Sequence, residues 1–214
     1  MDRYSSFGHL KTFEVEGVDF RIRWRAGDSG IAVLSIHGGD IEPGTSQIAD
    51  AIAGDDHSFY ALEGIKTAGN RALHITSTAF DEPTALEIVC FSEIIISIHG
   101  CATIVPLVHI GGRDFELRER IQSRLSAAGF NASCYADPHF EGVSQANICN
   151  LCGRGMGVQM EISRGLRVQM FRDLTPSGRN DSTDIFHAFV QAVRNAIEPF
   201  GSLRKTPEPE NATD

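Results

Sequence analysis

Two histidines and a glutamate have the spacing in this chain most open to chemistry. His37 ends the apolar run Ile31 to Ile36, two glycines follow it, and Glu42 stands five positions later. His99 ends a second apolar run, Ile94 to Ile98, and Gly100 comes next. Imidazole nitrogens and carboxylate oxygens are zinc ligands; two of the first with one of the second make a catalytic set whose fourth position stays open. Carboxyl ends of strands in open α/β sheets are where ligands bind. Gly38 and Gly39 let the backbone double back without a Cβ penalty, so that Glu42 can return to the imidazole. A lone strand-end histidine is more often a satisfied polar residue than a ligand, so the argument needs both strands side by side.

The elements that must position these residues follow from periodicity. Phe13 to Arg25 alternates as an amino-terminal hairpin turning near Glu16-Gly17, and Ile31 to Ile36 is the first central strand. Thr45 or Ser46 caps a helix bearing Ile48, Ala49 and Ile52, closed by Gly54. Phe59 to Leu62 and Leu73 to Thr76 are short strand candidates. A helix with Asp81 as cap and Pro83 in its first turn runs to Phe91 and feeds the strand ending at His99. Ile104 to Ile110 reads as a continuous strand ended by Gly111-Gly112. Asp114 then caps a helix with Leu117, Ile121, Leu125 and Ala128 on one face. Ala132 to Ala136 and Val158 to Ser163 are later strands, and Asp181 or Ser182 opens a last helix through Ile197. Alternating strands and helices imply an α/β fold with a mixed, mainly parallel sheet covered on both faces.

The chain of 214 residues suits a single domain, residues 1–204, with a polar, disordered tail at 205–214. No apolar leader and no run near the length of a membrane span are visible, which points to a cytoplasmic protein with no membrane partner. A formal net charge of −9 argues against a nucleic-acid partner and requires a local arginine cluster for any anionic substrate. Five cysteines, an odd number in apolar surroundings, fit reduced buried thiols better than a disulfide framework. Cys149-Asn150-Leu151-Cys152 is a C-x-x-C match without a second ligand pair.

Six stretches, in order along the body, carry a family resemblance. They are His37-Gly38-Gly39-Asp40-Ile41-Glu42-Pro43-Gly44-Thr45-Ser46, Leu73-His74-Ile75-Thr76-Ser77-Thr78, Phe80-Asp81-Glu82-Pro83, Ser97-Ile98-His99-Gly100, Ile110-Gly111-Gly112-Arg113-Asp114 and Gly157-Val158-Gln159-Met160-Glu161-Ile162-Ser163-Arg164-Gly165. With these the chain resembles the poly-γ-glutamate hydrolases of bacteriophages and bacilli. The resemblance implies a three-layer α/β/α sandwich like that of zinc carboxypeptidases and zinc-dependent cleavage of γ-glutamyl amide bonds, in poly-γ-glutamate or shorter γ-glutamyl peptides. It makes His37, Glu42 and His99 the Zn2+ ligands and Glu161 the general base. Asp40 departs from the family pattern, which has a third glycine there, and is expected to alter loop geometry or metal affinity.

An oxyanion at the attacked carbon calls for cationic help, and carboxylates of the substrate for bidentate partners. Arg71, Arg113, Arg154, Arg164 and Arg167 are the candidates. Arg113 comes first because it follows a strand and a Gly-Gly turn; Arg71 and Arg154 are substrate-binding candidates. Asn147 and Asn150 could orient a substrate carboxylate or simply form turns. His57, His74, His109 and His139 are expected to make structural hydrogen bonds. Two other readings use the same fold: a zinc deacylase or carboxypeptidase acting on another acidic amide, and a binding module without turnover.

Overall fold

The computed structural model describes residues 2–134 and 141–200. The expected tail, His139 and the end of the Ala132 to Ala136 segment lie outside the described residues. In chain order the elements are α1 (Phe7–Lys11), β1 (Phe20–Arg25), β2 (Ile31–Gly39), α2 (Thr45–Ala53), β3 (Ser58–Gly64), α3 (Pro83–Cys90), β4 (Ile94–Cys101), β5 (Val108–Gly112), α4 (Phe115–Ala127), β6 (Ala132–Ser133), β7 (Val158–Ser163), α5 (Arg164–Met170) and α6 (Asp184–Ile197).

Among the described residues all seven strands join one sheet in the order β1-β3-β2-β4-β7-β5-β6. The β3-β2, β2-β4, β4-β7 and β5-β6 pairs are parallel, whereas β1-β3 and β7-β5 are antiparallel. Every residue of β2 is buried, as its unbroken apolar run requires of a strand covered on both faces. Val33, Ile96, Ile98 and Met160 face a layer made by α2, α4, α5 and α6 through Ile48, Ile121, Leu166 and Phe189. Leu34, Ile36, Tyr60 and Ile95 face the other way, against α1 and α3 through Phe7, Leu10, Ala85 and Val89. The architecture is therefore the expected mixed α/β fold in three layers. Among the described residues no helix is long and apolar enough to cross a membrane.

Several local expectations are corrected. The amino-terminal hairpin does not form: the strand at Phe20–Arg25 pairs with β3, and Phe7–Lys11 is a short helix capped by Ser6. Val15 and Val18, which suggested the alternation, are more than half exposed. Leu73 to Thr76 is no strand; a 3-10 turn over Asn70–Leu73 runs into a loop, which leaves the Ile75 carbonyl available to a side chain. Glu82, not Asp81, caps α3 by accepting from Ala85 N at 2.8 Å, while Asp81 accepts from Phe7 N. Thr183, rather than Asp181 or Ser182, caps α6. The strand read from Ile104 begins only at Val108, because Pro106 lacks a ladder donor and Ile104 lies 80 % exposed.

The β4–β5 loop is laid directly over the first turn of α5. Gly165 N donates to Thr103 O at 3.0 Å, and a Cβ on Gly165 would sit 1.9 Å from the Ile104 carbonyl oxygen. Overpacking of rigid backbone against backbone typically costs about 1–3 kcal/mol. Gly165→Ala is expected to lower the urea-unfolding free energy by at least about 2 kcal/mol. An unchanged midpoint would show that the loop yields freely.

Candidate metal centre

β2 and β4 are parallel neighbours, so their carboxyl ends lie together. The register of β2 against β3 slips between Ser35 and Gly38, and His37 falls inside that slip, with its ring against the 74–75 loop. Gly39 makes the turn that follows, at φ 62°, with its Cβ position 2.4 Å from Gly64 O, so no side chain fits. On β4, His99 follows Ser97 on the same face at the strand period of two.

The two rings confront each other. His37 Nδ1 lies 3.1 Å from His99 Nδ1. Their other nitrogens are occupied: His37 Nε2 donates to Ile75 O at 2.8 Å, and His99 Nε2 lies 2.8 Å from Ser97 Oγ. Glu42 Oε1 stands 3.3 Å from His37 Nδ1, while Glu42 Oε2 accepts from Gly100 N at 2.8 Å. One ligand atom from each of the three residues falls within 4.8 Å of the others. Two buried nitrogen lone pairs aimed at one another, with a carboxylate alongside, repel unless a proton or a cation lies between them. The donor set thus fits a metal ion on its own chemistry, two nitrogens and one oxygen with outer partners already fixing both rings.

The titration behaviour agrees. Burial pushes the His99 imidazole down to about 3, helped by the charge of His37. Burial also opposes protonation of His37, but the Glu42 carboxylate outweighs it and raises the ring above its usual value. Burial works against the Glu42 charge too, yet His37 and His99 hold that carboxyl at about 2. One positive charge is welcome between the rings; two are not.

Glu161 lies directly beside His99 in the β4-β7 register and is buried. Gln159 Nε2 donates to its Oε1 at 3.0 Å, and Asn147 Nδ2 donates to Gln159 Oε1 at 2.8 Å. Burial, then the Glu42 charge, raises the Glu161 carboxyl to about 8. Behind Gly100, the Arg167 guanidinium donates to the carbonyls of Ile162, Pro43 and Cys101, tying the ends of β7 and β4 to the loop after Glu42. A Cβ on Gly100 would lie 2.6 Å from the Arg167 Cζ.

The remaining sequence candidates divide. Arg113 is not brought to the centre: β5 runs antiparallel to β7, so Arg113 emerges where β7 begins, beside Val143 and Arg154. Arg154 is held there by Asp114 at 2.8 Å. Asn150 spends Nδ2 on Gly142 O and Ser144 O and its Oδ1 on Gly157 N, which makes it a turn former. Asn147 caps a 3-10 turn and acts on Glu161 only through Gln159. Arg71 is exposed, three residues before His74, and Arg164 is exposed where β7 ends. Cys149 and Cys152 are buried free thiols. Asp40 forms a 2.8 Å ion pair with buried Arg179, and among the described residues no non-glycine has a positive φ, so position 40 needs no glycine. Sequence reasoning missed Ser97 and Gln159; polar residues two positions before His99 and Glu161 in otherwise apolar strands were the available signal.

Comparison with known proteins gives consistent matches. A family model described as poly-gamma-glutamate hydrolase matches residues 4–192. The chain is 37 % identical over 198 residues to the SPbeta prophage-derived protein YoqZ of Bacillus subtilis strain 168, covering 92 % of this chain and 72 % of YoqZ. It is 40 % identical over 171 residues to YndL of the same organism, covering 79 % and 67 %. A bacteriophage poly-gamma-glutamate hydrolase structure superposes with a TM-score of 0.90 at 31 % identity, covering 94 % of this chain and 98 % of that one. A zinc-free apo structure of YndL superposes at 0.88 with 36 % identity, covering 92 % and 98 %.

The buried Glu161 carboxyl makes stability depend on pH. Its folded value, about 8, lies above its ordinary 4.5, so the native state keeps a proton that the unfolded chain releases between those limits. Its contribution to stability therefore falls as pH rises through that window and levels off above it. In metal-chelated protein, Glu161→Gln should raise the thermal midpoint by several degrees more at pH 8 than at pH 5. An equal offset at both pH values would show that the carboxyl is not held neutral.

Proposed function

The chain belongs to the poly-γ-glutamate hydrolase family, and from that premise we propose that it cleaves γ-glutamyl amide bonds at a zinc centre, with Glu161 as general base. The observation that carries the reading is the convergence of His37 Nδ1, His99 Nδ1 and a Glu42 oxygen, with Glu161 next to it in the sheet. His37, Glu42 and His99 would hold the ion. Bound there, zinc supplies a Lewis acid for the amide carbonyl and lowers the pKa of water.

The chain's own residues supply the rest. Ile75 O and Ser97 Oγ fix the two rings, so each presents Nδ1. Gly100 N holds one Glu42 oxygen and leaves the other to the centre. Gln159 occupies one Glu161 oxygen and leaves the second to take a proton. A positive charge beside it would favour the ionised Glu161, and a carboxylate there can take the proton of the attacking water and return it to the leaving nitrogen. The new C–O bond forms as the C–N bond breaks, and that proton completes the amine. Exposed Arg71 and Arg164 would meet the carboxylates of the polymer at the rim.

Metal analysis of the purified protein, with γ-linked and α-linked glutamate oligomers as substrates, checks the reading. One zinc per chain and turnover of the γ-linked series alone are expected. Glu161→Gln should keep the zinc and lose about 10²–10⁴-fold in kcat; His37→Ala should lose the zinc itself. Turnover by protein free of metal would sink the proposal, and equal cleavage of α-linked oligomers would reassign it to another acidic amide.

A further inference from the structure

The amino-terminal segment reaches the metal centre from the layer of α1, and its course is fixed by packing. Tyr4, Phe7 and Leu10 are buried in the core on that face, and the Tyr4 hydroxyl donates to Glu14. Asp2 then spends both carboxylate oxygens on one short stretch. Its Oδ1 lies 2.8 Å from His74 Nδ1, and its Oδ2 accepts from Thr76 N at 2.7 Å. A carboxylate oxygen only accepts, so His74 Nδ1 carries a proton, and in that tautomer Nε2 is the acceptor.

That acceptor faces the centre, 4.0 Å from Glu42 Oε1. The ring is stacked on His37 with centroids 3.9 Å apart and planes 26° from parallel. Among the described residues His74 is not one of the three whose ligand atoms converge within 4.8 Å. His74 is left to meet what enters the cleft, and its side chain is 30 % exposed to do so.

We propose that His74 Nε2 accepts a hydrogen bond from a backbone amide N–H of the γ-glutamyl chain, and that Asp2 is the positioning residue that holds the ring in its accepting tautomer. This rests on the function proposed above. In an ionised γ-linked glutamate chain the carboxylates and carbonyls only accept, so along the chain the amide N–H is the donor available. Glu161 stands beyond His99 on β7, while His74 stacks on His37. One acceptor serves the reacting water and the other serves the substrate.

The test is a double-mutant cycle in zinc-loaded Glu161→Gln protein, which binds without turning over. Binding of a short γ-linked glutamate oligomer is measured by calorimetry for Asp2→Ala, His74→Ala and the double variant, with zinc affinity read in parallel by chelator competition. Each single change should weaken oligomer binding about tenfold. The double variant should fall no more than about threefold below His74→Ala, and zinc affinity should stay within about threefold throughout. Losses that multiply in the double variant would overturn the proposal, as would single variants that bind normally. Zinc affinity falling in step with oligomer affinity would also overturn it, by showing that the segment acts on His37 through the Ile75 carbonyl. Protein with His74 and Asp2 intact that neither binds nor cleaves the oligomer would overturn the proposed function and this contact together; binding that survives both changes would overturn this contact alone.

Discussion

The meeting of His37 and His99 is an arrangement the protein must hold against its own electrostatics. Two imidazole nitrogens 3.1 Å apart, both buried, with a carboxylate at their side, repel unless a proton or a cation lies between them. The chain keeps them there by holding the other nitrogen of each ring and one oxygen of Glu42. Ile75 O, Ser97 Oγ and Gly100 N each fix one atom of the ligand set, and Arg167 ties together the three backbone segments beneath. These partners come from rigid strands or from loops clamped to them. Such a site is preformed by the fold, with a shared proton between the rings standing where a cation could sit.

Much of this was legible in the chain. Apolar runs ending in histidine and glycine identify β2 and β4, and their parallel pairing brings the ends together. The glutamate five residues on returns because Gly39 can take a positive φ. Strand direction was not legible. Arg113 follows a strand and a glycine turn as an active-site residue would, but β5 is antiparallel to β7, and one reversed strand moves its end to the far side of the sheet. Periodicity cannot report direction, since apolar runs look alike read either way. The amino-terminal hairpin failed for a related reason: alternation marks a strand but does not choose its partner, and β3, distant in sequence, won over the local turn. Leu73 to Thr76 has strand-like residues, yet its backbone is recruited as hydrogen-bond partners for His37 and Asp2.

Charge is allotted locally, against the overall balance. A protein of net charge −9 that handles a polyanion would be expected to repel it. Its acidic groups near the centre are mostly committed. Glu42 is held by the histidines and Gly100, Asp2 by His74 and Thr76, and Asp40 by Arg179. Glu161, raised to about 8 by burial, adds no charge near neutral pH until a cation arrives. The cleft is thus far less negative than the composition suggests.

The Asp40–Arg179 pair shows the same logic where the sequence looked least favourable. Glycine at position 40 would be required only by a left-handed backbone, and the residue that takes that conformation is Gly39. Asp40 N is already anchored to Gly64 O at 2.9 Å, so the turn is set by backbone. Its carboxylate goes to Arg179, a buried guanidinium that also donates to Leu174 O. Removing Asp40 would leave the buried Arg179 guanidinium without its carboxylate partner, which is the costly way to alter such a pair. The aspartate therefore ties the loop between His37 and Glu42 to the 171–180 segment.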